Sequence, residues 1–200
     1  MYSLVLASQS PRRRQLLEEA GYVFTAHPLS VSEKLNENMN LHDALLSLSR
    51  YKVQSFVTAH NSMKQQMILA LSADTVVVHD NQVLGKPRDA EQAKLFLSQL
   101  SGKTHSVMTA FCVYNFNTGT DIAALEETKV RFKNLTEKEI EDYIATGEPF
   151  DKAGAYGIQG LGGKFVLETN GSWSNVVGLP MERLEKVLNE CGWSVVRRTT

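Results

Sequence analysis

The chain has 200 residues, with 21 Lys and Arg against 22 Asp and Glu, a formal net charge of −1 and 42% hydrophobic content. That length serves one large domain or two small lobes and buries roughly 70% of the unfolded surface, while the even charge balance excludes a general polyanion binder such as a nucleic-acid-coating protein. Only Cys112 and Cys191 are present, which excludes a disulfide framework and a cysteine zinc site and suits a reducing, cytoplasmic setting.

The apolar run Leu4–Ala7 is too short for a signal-peptide core, and its arginines follow it rather than precede it. No stretch approaches the roughly 18 apolar residues of a membrane span, so no membrane partner is expected. Tyr2–Ala7 reads as a short buried strand. Ser10-Pro11 then has the form of a helix start, Leu16, Leu17 and Ala20 supply its apolar stripe, and Gly21 is its stop. Tyr22–Ala26 reads as a second strand and 28–40 as a polar loop. The longest helical pattern covers 41–59, with Leu41, Leu45, Leu48, Phe56 and Ala59 at helical spacing. Two strand-like runs follow, Met67–Ala73 and Thr75–His79. Asp80-Asn81 then suits a tight hairpin turn into Gln82–Leu84.

Asp89–Leu100 is an amphipathic helix ended by Gly102. Thr104–Phe116 and Ile122–Phe132 are long β-type runs joined at Asn117-Thr118-Gly119. Thr136 and Glu139 form a capping box for a helix to Thr146. Gly147, Gly154, Gly157, Gly160, Gly162 and Gly163 mark a loop of unusual backbone geometry. Lys164–Thr169 reads as a strand, Pro180–Cys191 as a helix and Ser194–Arg198 as a final strand. Interleaved strands and helices without a clear linker make the class α/β, a single domain over residues 1–200.

Four places carry possible chemistry. Ser8-Gln9-Ser10-Pro11-Arg12-Arg13 lies where a strand turns into a helix, and a helix N-terminus suits a phosphate. The alternative is a capped helix with solvated arginines, but three arginines in a first turn oppose the dipole unless an anion is present. Asp74 interrupts the apolar run Leu69–Val78, where Asp is disfavoured. A carboxylate there either finds partners or a metal, or caps its own backbone at a strand end. Thr75 beside it either bonds a ligand or fills a strand position. Lys52 lies on the apolar stripe of its helix, so it points to the core or a cleft, or snorkels at the stripe's edge.

Lys86, in Gly85-Lys86-Pro87, and Lys152 would join Arg12 and Arg13 in neutralising a polyphosphate. Asp151, Lys152 and Gln159 lie in the glycine-rich loop Pro149–Gly160, offering polar groups to a base or a metal; the alternative is a purely structural loop. Gly102-Lys103-Thr104 ends like a P-loop but has Leu97 where the earlier glycine belongs. The five histidines lack ligand spacing, no G-x-S-x-G elbow occurs, and Cys112 reads as a core residue.

Leu6–Arg13, Ser72–Val77, Gly85-Lys86-Pro87, Leu100–His105, Asp151–Gly160 and Asn175–Pro180 occur in the order and form found in the Maf family of nucleoside triphosphate pyrophosphatases, which the chain resembles over nearly its whole length. The resemblance implies hydrolysis of a nucleoside triphosphate to the monophosphate and pyrophosphate, aided by a divalent metal such as Mg or Mn. It further implies an elongated mixed β-sheet flanked by helices, two lobes around a central cleft (the Maf and ITPase type), and a homodimer. By position Asp74 matches the family's proton acceptor, Ser8, Arg13, Lys52 and Lys86 its phosphate side, and Glu33 an acidic position near the metal. Arg12, Thr75 and Gln159 are the residue types of the branch that hydrolyses dTTP and UTP; the branch acting on 7-methyl-GTP carries Trp, Gln and Glu there. The chain departs from many relatives at Ser32, where they have Asp, and at Val53, where they have Ala. A non-catalytic nucleotide-binding regulator is the competing class, and an RNA-binding protein a more distant one.

Overall fold

The computed structural model describes residues 1–198. The element order is β1 (Ser3–Ala7), α1 (Pro11–Glu19), β2 (Phe24–His27), α2 (Leu41–Ala59), β3 (Ile68–His79), β4 (Gln82–Leu84), α3 (Ala90–Leu100), β5 (Thr104–Asn115), β6 (Thr120–Phe132), α4 (Glu137–Ala145), β7 (Val166–Asn170), α5 (Trp173–Val177) and α6 (Met181–Glu190). Seven strands form one mixed sheet in the order β2-β1-β3-β5-β6-β7, with β4 paired to β3. β1 runs parallel to β2 and β3, while β4 is antiparallel to β3 and β7 to β6. The fold is therefore α/β with flanking helices, as the alternation of patterns indicates.

The chain divides into two compact units. One comprises Met1–Asp74, Thr109–Glu126 and the residues from Gly178 on; the other comprises Thr75–Met108 and Glu127–Val177. β3, β5 and β6 contribute residues to both. The first unit has a core of Val5, Ala7, Val53, Phe56, Val57, Ala70, Cys112, Tyr114 and Phe116. Cys112 is fully buried there, as its apolar surroundings in the sequence suggest. In the second unit Phe132, Tyr143, Tyr156 and Phe165 form an aromatic centre, with ring pairs at 4.7–6.0 Å.

Local chemistry sets the element ends. Ser10 accepts from the Arg13 amide with Pro11 at the first helical position, and Asn40 and Asp89 cap α2 and α3 in the same way. The Thr136–Glu139 capping box is complete. Asp80 and Asn81 both have positive φ, +47° and +60°, the conformation a two-residue hairpin demands.

The differences from the sequence reading are local. The two runs on either side of Asp74 are one uninterrupted strand, because the buried carboxylate finds a partner and does not end it. β2 begins two residues later than expected, at Phe24. The expected last strand is reduced to isolated bridges, Tyr2 with Val195 and Tyr22 with Arg197. α5 has five residues, too few to show a period.

Candidate active site

In the first unit the backbone leaves β1 at Ala7 and enters α1 at Pro11, so Ser8 is buried at the turn. Its hydroxyl accepts from the Ser10 amide at 3.2 Å and from Arg13 Nη1 at 3.2 Å. Arg13 Nε donates to the Gly178 carbonyl at 2.8 Å. The guanidinium is thus drawn back over the strand–helix turn and fixed at both ends. Burial pushes its pKa down, the negative charges of Asp74 and Glu33 oppose that shift, and the positive charge of Arg12 adds to it. Arg12 is half-exposed. These carboxylates supply negative charge to Arg13 where it opposes the α1 dipole, and Ser10 is committed to capping.

α2 positions Lys52. Leu45, Leu48, Ser49, Lys52, Val53 and Phe56 occupy its buried face, so the lysine stem is packed in the core and the ammonium must find acceptors. It donates to Asp74 Oδ1 at 2.5 Å and to Glu33 Oε1 at 2.7 Å. Asp74 is only 8% exposed, whereas Glu33 comes from the 28–40 loop and is open to solvent. Two residues before Asp74 on β3, the Ser72 hydroxyl donates to the Ser49 carbonyl of α2 at 2.8 Å, fixing strand against helix beside the ion pair. This unit therefore gathers Ser8, Arg13, Glu33, Lys52 and Asp74. Of the alternatives open for Asp74 and Lys52, the structure takes the buried, partnered ones.

The second unit holds the other candidates. Thr75 is half-buried on β3, and Lys86 is exposed just beyond β4. The Gly85 carbonyl beside it accepts from the Gly154 amide at 3.0 Å, tying the Lys86 turn to the glycine-rich loop. Gly154 has φ +67°, and a Cβ there would lie 2.8 Å from Val77, so the backbone approach requires glycine. Lys152 Nζ donates to Asp151 Oδ1 at 2.6 Å and to the Glu148 carbonyl at 2.7 Å. Gln159 is exposed on the same loop.

Several residues here escaped the sequence reading. The Gly178 carbonyl anchors Arg13, and no side-chain pattern signals a carbonyl. Glu148 and Tyr143 organise the glycine-rich loop: Glu148 accepts from the Tyr143 hydroxyl at 2.9 Å and from the amides of Leu161 and Gly162 at 2.9 and 3.3 Å. The available signal was an acidic residue at the mouth of a glycine-rich loop. His105, in the Leu100–His105 stretch, is a buried partner of the Tyr156 hydroxyl at 2.7 Å. Asn175, in the Asn175–Pro180 stretch, donates to the Val107 carbonyl and to Thr128 Oγ1, both at 2.9 Å.

Asp74 and Glu33 offer hard oxygen donors, which suit Mg or Mn. No cluster of three or more His, Cys, Asp or Glu capable of caging a metal occurs among the described residues. Two carboxylates alone would leave most positions around such an ion to water or other oxygen ligands.

The family model described as Maf-like protein matches residues 3–191. A dTTP/UTP pyrophosphatase of Bdellovibrio bacteriovorus is 46% identical over 94% of this chain and 98% of its own. A dTTP/UTP pyrophosphatase of Desulfitobacterium hafniense is likewise 46% identical, over 94% of this chain and 85% of its own. Among solved structures, a nucleoside-triphosphatase / dITP/XTP pyrophosphatase of Mycobacterium abscessus aligns at 14% identity over 94% of both chains with a TM-score of 0.44.

Proposed function

The chain belongs to the Maf family, and from that premise we propose that it is a nucleoside triphosphate pyrophosphatase acting on dTTP and UTP. The relatives of like length that carry this activity in their names support the substrate class. The observation that carries the chemistry is the Asp74 carboxylate, buried at the end of the first unit's share of β3 and hydrogen-bonded to Lys52, with Glu33 on the same ammonium.

In the proposed reaction a water oxygen bonds to the α-phosphorus as the α–β bridging P–O bond breaks. Asp74 takes the water proton, and pyrophosphate leaves with the bond's electrons. Lys52 orients Asp74. Ser8, Arg12, Arg13, Lys86 and Lys152 supply donors and positive charge for the phosphates. Glu33 and Asp74 would hold a divalent Mg or Mn ion; Asp151, expected from the sequence as a further ligand, lies in the second unit, where Lys152 donates to it. When bound, that ion would supply positive charge against the phosphates. Thr75 and Gln159 select the pyrimidine, and an amide both donates and accepts against the uracil or thymine edge. A homodimer and a cytoplasmic setting belong to the same proposal; the two free cysteines and the lack of any helix long and apolar enough to cross a membrane, among the described residues, are compatible with it.

The test is pyrophosphate release from a nucleotide panel, with and without Mg or Mn. Turnover of dTTP and UTP ahead of the purine triphosphates is expected. Binding of UTP without turnover under every metal tried would make the protein a nucleotide-binding regulator instead. Light scattering tests the dimer.

A further inference from the structure

We infer that Glu148 is the positioning residue for pyrimidine selection: it holds both ends of the turn that presents Gln159, and so sets the protein's preference for uracil and thymine nucleotides. The inference rests on the proposed function and deepens it.

Gln159 is the third residue of a turn closed by the Gly160 amide and the Gly157 carbonyl at 3.3 Å. Two of those four residues are glycines and Gln159 is exposed, so its own side chain does not hold the turn in place. Its position is imposed from outside. Before the turn, the Gly157 amide donates to the Tyr143 hydroxyl at 3.3 Å, and that hydroxyl donates to Glu148 Oε1 at 2.9 Å. After the turn, the Leu161 amide donates to Glu148 Oε2 at 2.9 Å and the Gly162 amide to Oε1 at 3.3 Å. The carboxylate therefore binds the chain directly after Gln159 and, through the Tyr143 hydroxyl, before it. The Glu148 backbone carbonyl adds a third tie by accepting from Lys152.

Two further features fit this arrangement. A Cβ at Gly160 would stand 2.3 Å from Glu148 Oε1, and one at Gly157 would stand 2.6 Å from Lys152 Cε. The glycines thus admit the carboxylate and the lysine stem as well as permitting the turn. Tyr143 is fully buried in the aromatic core, so the hydroxyl end of the network is immobile. Charge-assisted hydrogen bonds to a carboxylate are roughly twice as strong as neutral ones, and a neutral side chain does not replace all three.

The experiment compares UTP with CTP, whose bases differ in donor and acceptor at the edge an amide reads. KM and kcat are measured for the unmodified protein, Glu148→Ala, Glu148→Gln, Gly160→Ala and Gln159→Ala, and for the Glu148→Ala/Gln159→Ala pair. Glu148→Ala and Gly160→Ala should each reduce the UTP-over-CTP preference by about tenfold through KM, with kcat for UTP within about twofold. Glu148→Gln, which keeps an oxygen acceptor, should recover part of the preference. In the Gln159→Ala background, Glu148→Ala should have no further effect on the preference, since it acts through that side chain. An unchanged preference in Glu148→Ala overturns the inference, and so do additive losses in the pair. Amide hydrogen exchange at Leu161 and Gly162 needs no substrate, and it should accelerate at least about tenfold in Glu148→Ala. If the unmodified protein fails to turn over UTP, the functional reading falls by itself. The exchange rates then decide the tie separately, and unchanged rates remove it.

Discussion

Lys52 donates a 2.5 Å hydrogen bond to Asp74 where neither has much water to turn to, at 6% and 8% exposure. A buried carboxylate without its cation is expensive, so Lys52→Met should lower stability by about 3–5 kcal/mol, read from urea denaturation at neutral pH. The loss in a Lys52→Met/Asp74→Asn double variant should be smaller than the sum of the single losses, because the stranded charge is gone. Asp74→Asn alone should lower turnover by about 10²–10⁴-fold, the range for losing a general base. Near-normal turnover in the folded variant would remove Asp74 from the mechanism. Both residues were visible in the sequence, since each is a charge in a periodic apolar pattern that has no place for it. Glu33 was not: it lies in a loop without periodicity, where a glutamate is unremarkable, and only the family resemblance singled it out. Arg13 was half-legible, as an arginine at odds with its helix dipole. Its carbonyl anchor at Gly178 lies 165 residues away.

The elements differ in how strongly local sequence dictates them. α4 carries its own start signal, and Thr136→Ala should cost about 1 kcal/mol, measurable as a shift in denaturation midpoint, by leaving the Glu139 amide without its cap. The glycine-rich loop is set instead by its surroundings. Gly154→Ala meets both a positive φ and Val77 at 2.8 Å, so it should destabilise by about 2 kcal/mol or more. The same denaturation curves check it, with Gly21→Ala, where a positive φ meets open space, as the milder control. The loop's glycine content was readable as unusual backbone. Its three short 3₁₀ turns and its dependence on Glu148 were not, because hydrogen bonds from amides to a distant carboxylate leave no periodic trace. α5 escaped for the opposite reason, being only as long as one helical period and a half.

At the scale of the whole molecule, pH acts through His105. It is 2% exposed, and burial first, then the neighbouring His79, lowers its pKa to about 3. The unfolded chain binds a proton there near the ordinary value of about 6.5, whereas the folded protein stays neutral. Protons therefore favour unfolding between those values, and stability rises with pH across that window. Acidification from pH 6 to pH 4 should cost up to about 1.4 kcal/mol per unit from this group alone. His105→Gln should flatten that slope in urea midpoints collected from pH 7 to pH 4, although losing the Tyr156 partner lowers the plateau. An equally steep slope in the variant would place the acid sensitivity elsewhere.

Composition, apolar periodicity and capping residues determined by themselves that this is an α/β protein, where nearly all of its long elements run, and which charges are out of place. Those features act over three or four residues, the range over which a side chain dictates its own backbone. Tertiary structure alone decided how the misplaced charges are resolved, Lys52 between Asp74 and Glu33 and Arg13 against Ser8 and the Gly178 carbonyl, and it alone set Glu148 against Tyr143 and the amides beyond Gln159. Apart from the Arg13–Ser8 and Glu148–Tyr143 pairs, five residues apart, these contacts join segments 13 to 165 residues apart in the chain. A buried charge requires a partner, and only the folded backbone determines which one comes within reach.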